Sequence, residues 1–193
     1  YNFRDLDPSA QSDGEAVLSA YLRWGPTFAR HLDGEFAVLI ADLERGCFVL
    51  AVDTFGTKPL FYGKFGSTFA AASYRSALKQ LVGIRAVRAV PPNSILVFDQ
   101  SFKLIERRTV FEFDLRQWKQ TFTPWQAAFE ASVMKRAGPE HLQGGIANVG
   151  TLLGLSAGFD SGALHAALLR LGLVHTTYTL AAREDLDLVR RRL

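Results

Sequence analysis

The sequence is poor in the features that mark several large classes of protein. Its 193 residues include one cysteine, Cys47, which rules out an internal disulfide framework and points to a reducing compartment. That compartment is the cytoplasm, or an organelle interior if an upstream transit segment has been removed. No apolar run approaches the roughly 20 residues that a helix needs to cross a bilayer. Charge of one sign is not in excess, since 22 Lys and Arg face 19 Asp and Glu. We therefore expect no transmembrane segment and no nucleic-acid partner.

The hydrophobic pattern up to residue 115 predicts an α+β domain built from antiparallel strands. Ser12 stands three residues before Glu15, which is the spacing of a capping box at the start of a helix. The apolar runs 36–42 and 47–53 flank a short polar turn, which predicts an antiparallel hairpin buried on both faces. Helices are expected at 13–23 and 74–82, and further strands at 59–63, 67–72, 94–99 and 103–107.

The pattern changes beyond residue 115, where helices and strands alternate as at the opening of a parallel α/β sheet. The expected elements are a helix from Thr123 to about 136, a strand at 149–155, a helix at 161–171, a strand at 175–181 and a helix from about 184. We therefore predict two domains, 1–115 and 116–193. A parallel sheet normally has both of its faces covered, and a sheet of two strands is too small for that. The second domain is therefore expected to be truncated. The first is expected to lack its N-terminal start.

The segment 154–162 carries the clearest chemical signal. It joins an apolar strand to a helix through small residues, which let backbone N–H groups approach a ligand at the positive end of the helix dipole. Ser156 and Ser161 add hydroxyl donors, and Asp160 is a suitable Mg²⁺ ligand beside a polyphosphate. The same residues also suit a plain strand-to-helix turn in which Asp160 or Ser161 caps the helix. The spacing alone leaves both interpretations open.

This loop and several upstream segments resemble those of one enzyme family. Ser156-Ala157-Gly158-Phe159-Asp160-Ser161 is similar to the Ser-Gly-Gly-x-Asp-Ser pyrophosphate loop of the ATP pyrophosphatases. Segments similar to the family's motifs occur in order at Tyr1-Asn2, Ser12-Asp13-Gly14-Glu15, 32–37, 53–62 and Pro91-Pro92-Asn93. Together they resemble the glutamine-hydrolysing asparagine synthetases, in which a class II glutamine amidotransferase domain is joined to an ATP-pyrophosphatase-type synthetase domain.

The resemblance implies a fold and a chemistry. The fold is an N-terminal-hydrolase-like antiparallel layer domain, followed by the beginning of a parallel α/β nucleotide-binding domain. In the family, a terminal Cys hydrolyses glutamine and ammonia passes to the second domain. There ATP adenylates the carboxylate of aspartate or a related acid, pyrophosphate leaves, and ammonia or an amine attacks the acyl-adenylate. The implied ligands are ATP, Mg²⁺, glutamine and the acceptor carboxylate.

The resemblance also assigns individual residues. The implied pyrophosphate and Mg²⁺ ligands are Ser156, Gly158, Asp160 and Ser161, with Asp160 as the metal ligand; Leu155 and Thr179 would border the adenosine, and Asp13 would meet the α-amino group of glutamine. No catalytic residue falls within this chain, because the family's nucleophilic Cys would lie upstream of Tyr1. Cys47 is no substitute, since it lies in a strand that we expect to be buried.

Departures from the family pattern leave two functions open. Ala157 replaces a glycine, so its methyl group should crowd a close approach or penalise a positive φ. Gly162 replaces a residue that is usually Ser or Thr. One hypothesis is part of an ATP-dependent amide ligase, including lactam-forming and peptide-cyclising variants that dispense with the glutaminase Cys. The other is a catalytically inactive structural subunit of a larger assembly, held by protein partners.

Two further sets of residues receive structural interpretations. The four histidines, at 31, 141, 165 and 175, have no metal-ligand spacing with Cys or acidic residues, so we expect them on the surface or on helix faces. Trp125, Phe129 and Val133 recur at helical spacing and predict a core stripe on the helix that follows Thr123.

Overall fold

The computed structural model describes residues 2–66, 68–81, 86–138, 150–181 and 184–193. The chain divides into two compact units, Tyr1–Leu115 and Arg116–Leu193. Each unit has a hydrophobic core of its own. Within the described ranges no helix has both the length and the apolar character needed to span a bilayer.

The first unit contains two antiparallel sheets, as expected. Its elements are α1 (Phe3–Leu6), α2 (Asp13–Trp24), a 3₁₀ helix (Gly25–His31), β1 (Ala37–Asp42), β2 (Cys47–Val52), β3 (Phe61–Phe65), β4 (Thr68–Ala72), α3 (Arg75–Lys79), β5 (Val87–Ala89), β6 (Ser94–Asp99) and β7 (Leu104–Arg108). One sheet has the strand order β1-β2-β6-β7 and the other β4-β3-β5. The three-residue strand β5 was not predicted, because it is too short to show a period in the sequence.

Strand β2 lies between two cores of the first unit. Val49 and Ala51 pack in one core with Phe28, whereas Leu50 and Val52 pack in the other. Successive side chains of a strand point to opposite faces, so this one strand serves both cores. The prediction of a hairpin buried on both faces is therefore correct for β2. It is wrong for β1, which is the edge of the sheet and leaves Leu39 45% exposed.

Helix α2 begins at Asp13 and ends at a glycine. Gly25 takes φ 58°, a conformation that is strained for residues with a Cβ, and the chain then turns into the 3₁₀ helix. The capping box predicted between Ser12 and Glu15 is not formed. Ser12 makes no side-chain cap, and the Glu15 carboxylate accepts a hydrogen bond from the backbone N–H of Gln11 at 2.8 Å.

The second unit contains a parallel strand pair, as predicted. Its elements are α4 (Thr123–Ala137), β8 (Thr151–Gly154), α5 (Phe159–Arg170), β9 (His175–Tyr178) and α6 (Leu186–Arg192). Strands β8 and β9 pair in register from Thr151 opposite His175 to Gly154 opposite Tyr178. The start of the predicted strand 149–155 lies outside the described residues.

The core of the second unit is formed between α4 and α5. Val133, Ala137, Ala167 and Leu168 are buried there, and Phe129 packs against them. The predicted stripe on α4 is therefore correct for its last two positions. It is wrong for Trp125, which stacks on Phe129 but remains 63% exposed.

Candidate functional site

A cavity of about 380 Å³ opens in the first unit beside the start of α2. The polar residues that line this cavity are Asn2, Asp13, Asp33, Glu35, Lys58 and Ser73. The segment before β1 supplies the acidic residues at 33 and 35, and α2 brings Asp13 to the rim with its first turn. This volume suits a small polar molecule such as an amino acid.

Asp13 differs from the other charged groups of this cavity. Glu35 and Lys58 form an ion pair, with 3.5 Å between the carboxylate oxygen and Nζ. Asp13 is exposed, and within the described part of the chain its carboxylate has no hydrogen-bond or ion-pair partner. A carboxylate accepts hydrogen bonds on both oxygens, so Asp13 is available to a ligand that carries an ammonium group.

Asn2 fixes one wall of the cavity. Its Oδ1 accepts a hydrogen bond from the backbone N–H of Asp33 at 2.9 Å, and its Nδ2 donates to the carbonyl of His31 at 2.8 Å. These two bonds join the first residues of the chain to the segment that leads into β1. They therefore hold α1 and the acidic segment at a fixed separation across the opening.

Asp53 organises the part of the wall that carries Lys58, although it does not line the cavity itself. Its side chain is 3% exposed and accepts hydrogen bonds from the backbone N–H groups of Phe36, Phe55, Thr57 and Lys58 at 3.0 to 3.3 Å. Burial acts to raise the pKa of this carboxyl, but the backbone donors outweigh it and hold the pKa below its usual value. Asp53 thereby folds the loop 53–58 and positions Lys58 at the cavity.

A second turn packs against this loop. Gly56 takes φ 67°, and a Cβ there would lie 2.8 Å from Cγ of Pro92. Asn93 takes φ 56°, which asparagine tolerates better than most residues. Its backbone N–H donates to the carbonyl of Asp53 at 2.9 Å. The motif segments around 53–62 and 91–93 are thus brought together to support the cavity wall.

The loop between β8 and α5 is folded on itself in the second unit. The N–H of Ser156 donates to Oγ of Ser161 at 3.0 Å, and the N–H of Gly158 donates to Oγ of Ser156 at 3.1 Å. The N–H of Ala157 donates to a carboxylate oxygen of Glu184 at 2.7 Å. The three amides that we expected to face an anion are therefore each bonded to an oxygen atom of this chain.

Arg192 contacts the other side of the same loop. One of its guanidinium nitrogens donates to the carbonyls of Ser156 at 2.6 Å and Gly158 at 2.7 Å. A Cβ at Gly162 would lie 2.9 Å from this guanidinium, so the glycine leaves room for Arg192 to cross the loop. Ala157 does not adopt a positive φ, so the backbone strain expected there is absent. The crowding of a close approach by its methyl group stays a prediction.

The remaining predicted ATP-site residues lie beside this loop. Leu155 is buried, and its carbonyl accepts a hydrogen bond from the Thr179 hydroxyl at 2.8 Å, so these two predicted residues are in contact. Asp160 is exposed in the first turn of α5, with no partner for its carboxylate among the described residues. A free carboxylate beside loop amides fits the way Mg²⁺ is bound with polyphosphates, through one or two protein carboxylates and the phosphate oxygens.

The sequence pattern did not point to Glu184 or Arg192, and it gave Asp53 no role. Glu184 lies 27 positions from Ala157, and Arg192 lies 36 positions from Ser156, so no local spacing links them to the loop. For Asp53 a local signal exists, since an Asp followed three residues later by Gly is typical of a turn in which the carboxylate binds backbone N–H groups.

Cys47 and the histidines also have clear surroundings. Cys47 packs against the first core, where its Sγ lies 3.8 Å from the Tyr21 hydroxyl. His165 lies on a helix face, as expected, but on the buried side of α5: it is 6% exposed, with Nδ1 2.9 Å from Nε2 of His175. His175 donates its Nδ1 proton to the Leu173 carbonyl at 2.8 Å, so its Nε2 accepts from His165. Nε2 of His165 has no partner in the described structure, and His141 lies outside the described residues.

In the described ranges, no group of three His, Cys, Asp or Glu residues is placed to hold a metal ion.

The first unit of the chain matches a known protein family. Residues 2–112, more than half of the chain, match the glutamine amidotransferase domain family. The chain belongs to this family. Membership together with the two antiparallel sheets confirms the N-terminal-hydrolase-like class expected for the first unit.

The similarity to asparagine synthetases extends beyond the amidotransferase domain. Putative asparagine synthetase [glutamine-hydrolyzing] 1 of Methanocaldococcus jannaschii is 30% identical over 196 residues, which cover 92% of this chain and 34% of the relative. Asparagine synthetase [glutamine-hydrolyzing] 3 of Bacillus subtilis is 37% identical over 75 residues, 39% of this chain and 12% of the relative. The chain thus spans about a third or less of the length of these curated relatives. The resemblance drawn from the motifs is confirmed for the glutamine amidotransferase part of the family.

Among solved structures, a glutamine phosphoribosylpyrophosphate amidotransferase of Bacillus subtilis is 16% identical, with a TM-score of 0.45. The superposition covers 86% of this chain and 39% of that one. So low a TM-score adds nothing to the fold assignment, which rests on the strand order and the family match.

Proposed function

We propose that this chain supplies two ligand sites of an asparagine-synthetase-like, ATP-dependent amide ligase. The cavity of the first unit binds glutamine, and the loop between β8 and α5 binds the pyrophosphate portion of ATP. The observation that carries the proposal is the Asp13 carboxylate, which has no partner among the described residues and stands in the cavity of a glutamine amidotransferase domain.

Asp13 binds the α-ammonium group of glutamine in this proposal. A charge-assisted hydrogen bond to an ammonium suits a carboxylate with no competing cation, and Lys58 is already paired with Glu35. We do not assign Cys47 as a nucleophile, because it packs against the first core and is not among the residues that line the cavity.

The loop binds the phosphates of ATP through the hydroxyls of Ser156 and Ser161 and through the Ala157 amide, which exchanges the Glu184 carboxylate for a phosphate oxygen. Leu155 and Thr179, which are hydrogen-bonded to each other, border the adenosine. Asp160 holds Mg²⁺, which when bound offsets the negative charge of the phosphates. In the ligase reaction these groups stabilise the leaving pyrophosphate as the carboxylate of the acceptor is adenylated.

Calorimetric titration of the chain with L-glutamine and with Mg-ATP tests both assignments. Asp13→Asn should weaken glutamine binding by about tenfold or more and leave Mg-ATP binding unchanged, because a charged hydrogen bond is lost at one site only. Asp160→Asn should have the converse effect. Glu44→Gln removes one exposed charge from the β1–β2 turn and serves as the matched control.

Each assignment has a result that contradicts it. Unaltered glutamine affinity in Asp13→Asn would remove Asp13 from the site, and unaltered Mg-ATP affinity in Asp160→Asn would remove Asp160. If the unsubstituted chain binds neither ligand, the inactive structural subunit becomes the better description of its role.

A further inference from the structure

The loop between β8 and α5 is bonded to two kinds of oxygen atom from this chain. The amides of Ser156 and Gly158 bind serine hydroxyls, whereas the amide of Ala157 binds the carboxylate of Glu184. The hydroxyls of Ser156 and Ser161 also bond to each other at 2.8 Å, which uses one of their two protons. The other proton can be donated to a phosphate oxygen while both amides keep their serine acceptors. A carboxylate only accepts and carries negative charge, so it competes with a phosphate for the same N–H group.

We propose that Glu184 occupies the anion position of this loop and so lowers the affinity of the loop for phosphate anions. A phosphate oxygen that reaches the Ala157 amide must displace the Glu184 carboxylate. The inference rests on the proposed pyrophosphate-binding function of the loop and adds an internal competitor to it. Glu184 thereby determines the ligand concentration at which the loop fills.

Glu184 and Arg192 belong to one segment of the chain that contacts the loop at both of its ends. Glu184 binds the N–H side of the loop, and Arg192, at the other end of the segment 184–192, binds the carbonyls of Ser156 and Gly158. This segment therefore holds the loop at both of its polar faces. When Glu184 leaves the Ala157 amide, the Arg192 guanidinium remains beside the loop as a positive charge for an incoming anion.

Titration with inorganic pyrophosphate in the presence of Mg²⁺ tests the proposal on the whole chain. Glu184→Gln keeps the size of the side chain and removes its charge, so pyrophosphate should bind about tenfold more tightly. Glu184→Ala should bind at least as tightly as Glu184→Gln. Glu184→Asp keeps the charge but shortens the side chain by one methylene. This variant therefore distinguishes the effect of the contact with Ala157 from the effect of the negative charge. Its affinity should fall between those of the unsubstituted chain and Glu184→Ala.

Asp187→Asn is the matched control. It removes one negative charge from the same segment, but Asp187 is exposed, pairs with Arg190 and has no contact with the loop. Its pyrophosphate affinity should stay within about twofold of that of the unsubstituted chain. A gain as large as that of Glu184→Gln would show that net charge, and not the Glu184 contact, sets the affinity, and would overturn the proposal.

Hydrogen exchange at the Ala157 amide gives a second readout that needs no ligand. Exchange should be faster in Glu184→Ala than in the unsubstituted chain, because the acceptor is gone. The Leu155 amide, which donates to the Tyr178 carbonyl at 2.9 Å, should be unchanged and so reports that the strand pair has folded.

The outcomes separate the inference from the function on which it rests. Equal, measurable pyrophosphate affinity in all variants would overturn the role of Glu184 and leave the loop as a phosphate site. Weaker binding in Glu184→Gln would also overturn it, because Glu184 would then support the ligand. If no variant binds pyrophosphate at millimolar concentration, the phosphate-binding function fails and the competitor fails with it.

Discussion

Asp53 shows how a single buried carboxylate shapes a cavity that it does not line. Its two oxygens accept hydrogen bonds from four backbone N–H groups and from the Thr57 hydroxyl. Its own N–H donates to the carbonyl of Phe36 at 3.0 Å. These bonds join the segment before β1 to the loop that carries Lys58. A neutral or smaller side chain would leave several of these donors buried without an acceptor.

Asp53→Asn should lower the free energy of unfolding of the first unit by about 2–4 kcal/mol. The amide nitrogen that replaces one oxygen donates instead of accepting, so it faces backbone donors that lose their partner. Urea denaturation followed through the β2 amides measures the change, with Glu44→Gln expected within about 0.5 kcal/mol of the unsubstituted chain. If Asp53→Asn is as stable as Glu44→Gln, the loop 53–58 is held by other contacts.

The residues of the candidate sites were predictable where local sequence determines their place. The sequence pattern predicts helices that start near Asp13 and Asp160, and both residues lie in the first turn of their helices. The role of Asp13 toward glutamine, in contrast, was implied only by the family resemblance. Glu184 was not predictable, because its contact with Ala157 depends on how the chain returns after β9. Gly162 shows the same limit, since its role depends on a guanidinium 30 positions along the chain.

At the scale of elements, helix α2 connects the cavity to the first core. Its first turn presents Asp13, and further along Ala16, Ala20 and Tyr21 are buried. The helix must therefore start and stop at set positions if the carboxylate is to reach the cavity. Gly25 ends it with φ 58° and ψ −144°, a combination that is essentially restricted to glycine.

Gly25→Ala should destabilise the first unit by about 1–3 kcal/mol through backbone strain alone, because nothing lies within 4 Å of the added Cβ. Gly14→Ala, in the same helix, is the matched control. Gly14 has no positive φ and its nearest neighbour to an added Cβ is Oγ of Ser12 at 3.9 Å, so the change should stabilise the helix by about 0.5–1 kcal/mol. Thermal denaturation of the two variants should shift in opposite directions, and a shift in the same direction would contradict the strain at Gly25.

The elements of this fold were predictable where the order of apolar and polar residues is clear. The hairpin was predicted from two continuous apolar runs, and the parallel pair β8–β9 from the alternation of strands with helices. Burial was harder to predict, because it depends on which strand becomes the sheet edge. Strands β1 and β2 are both rich in apolar residues, yet only β2 has a neighbour on each side.

At the scale of the whole chain, four aspartates of the first unit have a pKa below the usual value. For Asp7 the main cause is the hydrogen bond from the Ser19 hydroxyl, for Asp42 the backbone N–H of Arg45, and for Asp99 the Ser101 hydroxyl. For Asp53, backbone donors outweigh the opposing effect of burial. In each case the folded state favours the ionised carboxylate. Protonation of these carboxylates in acid therefore weakens the hydrogen bonds of several turns in the first unit.

The first unit should therefore lose stability in acid. An Asp in the unfolded chain has a pKa of about 3.9, and these four have lower values when folded, so below that pH the unfolded state binds more protons than the folded one. Their contribution is complete above about pH 5 and is lost as the pH falls through the folded pKa values. Urea midpoints of the β2 amides at pH 6, 4 and 3 should fall in that order.

Asp53→Asn should make the midpoint less dependent on pH, because the most buried of the four titrating groups is gone, although the variant starts from a lower stability. Asp5→Asn provides the comparison, since Asp5 is exposed in α1 and lies outside this set of hydrogen-bonded carboxylates. It should keep the full acid dependence. If the midpoint of Asp53→Asn falls with pH as steeply as that of Asp5→Asn, the proton uptake on unfolding comes from carboxylates other than Asp53, and the acid sensitivity of the first unit would have to be assigned to the half-buried carboxylates of Asp7, Asp42 and Asp99.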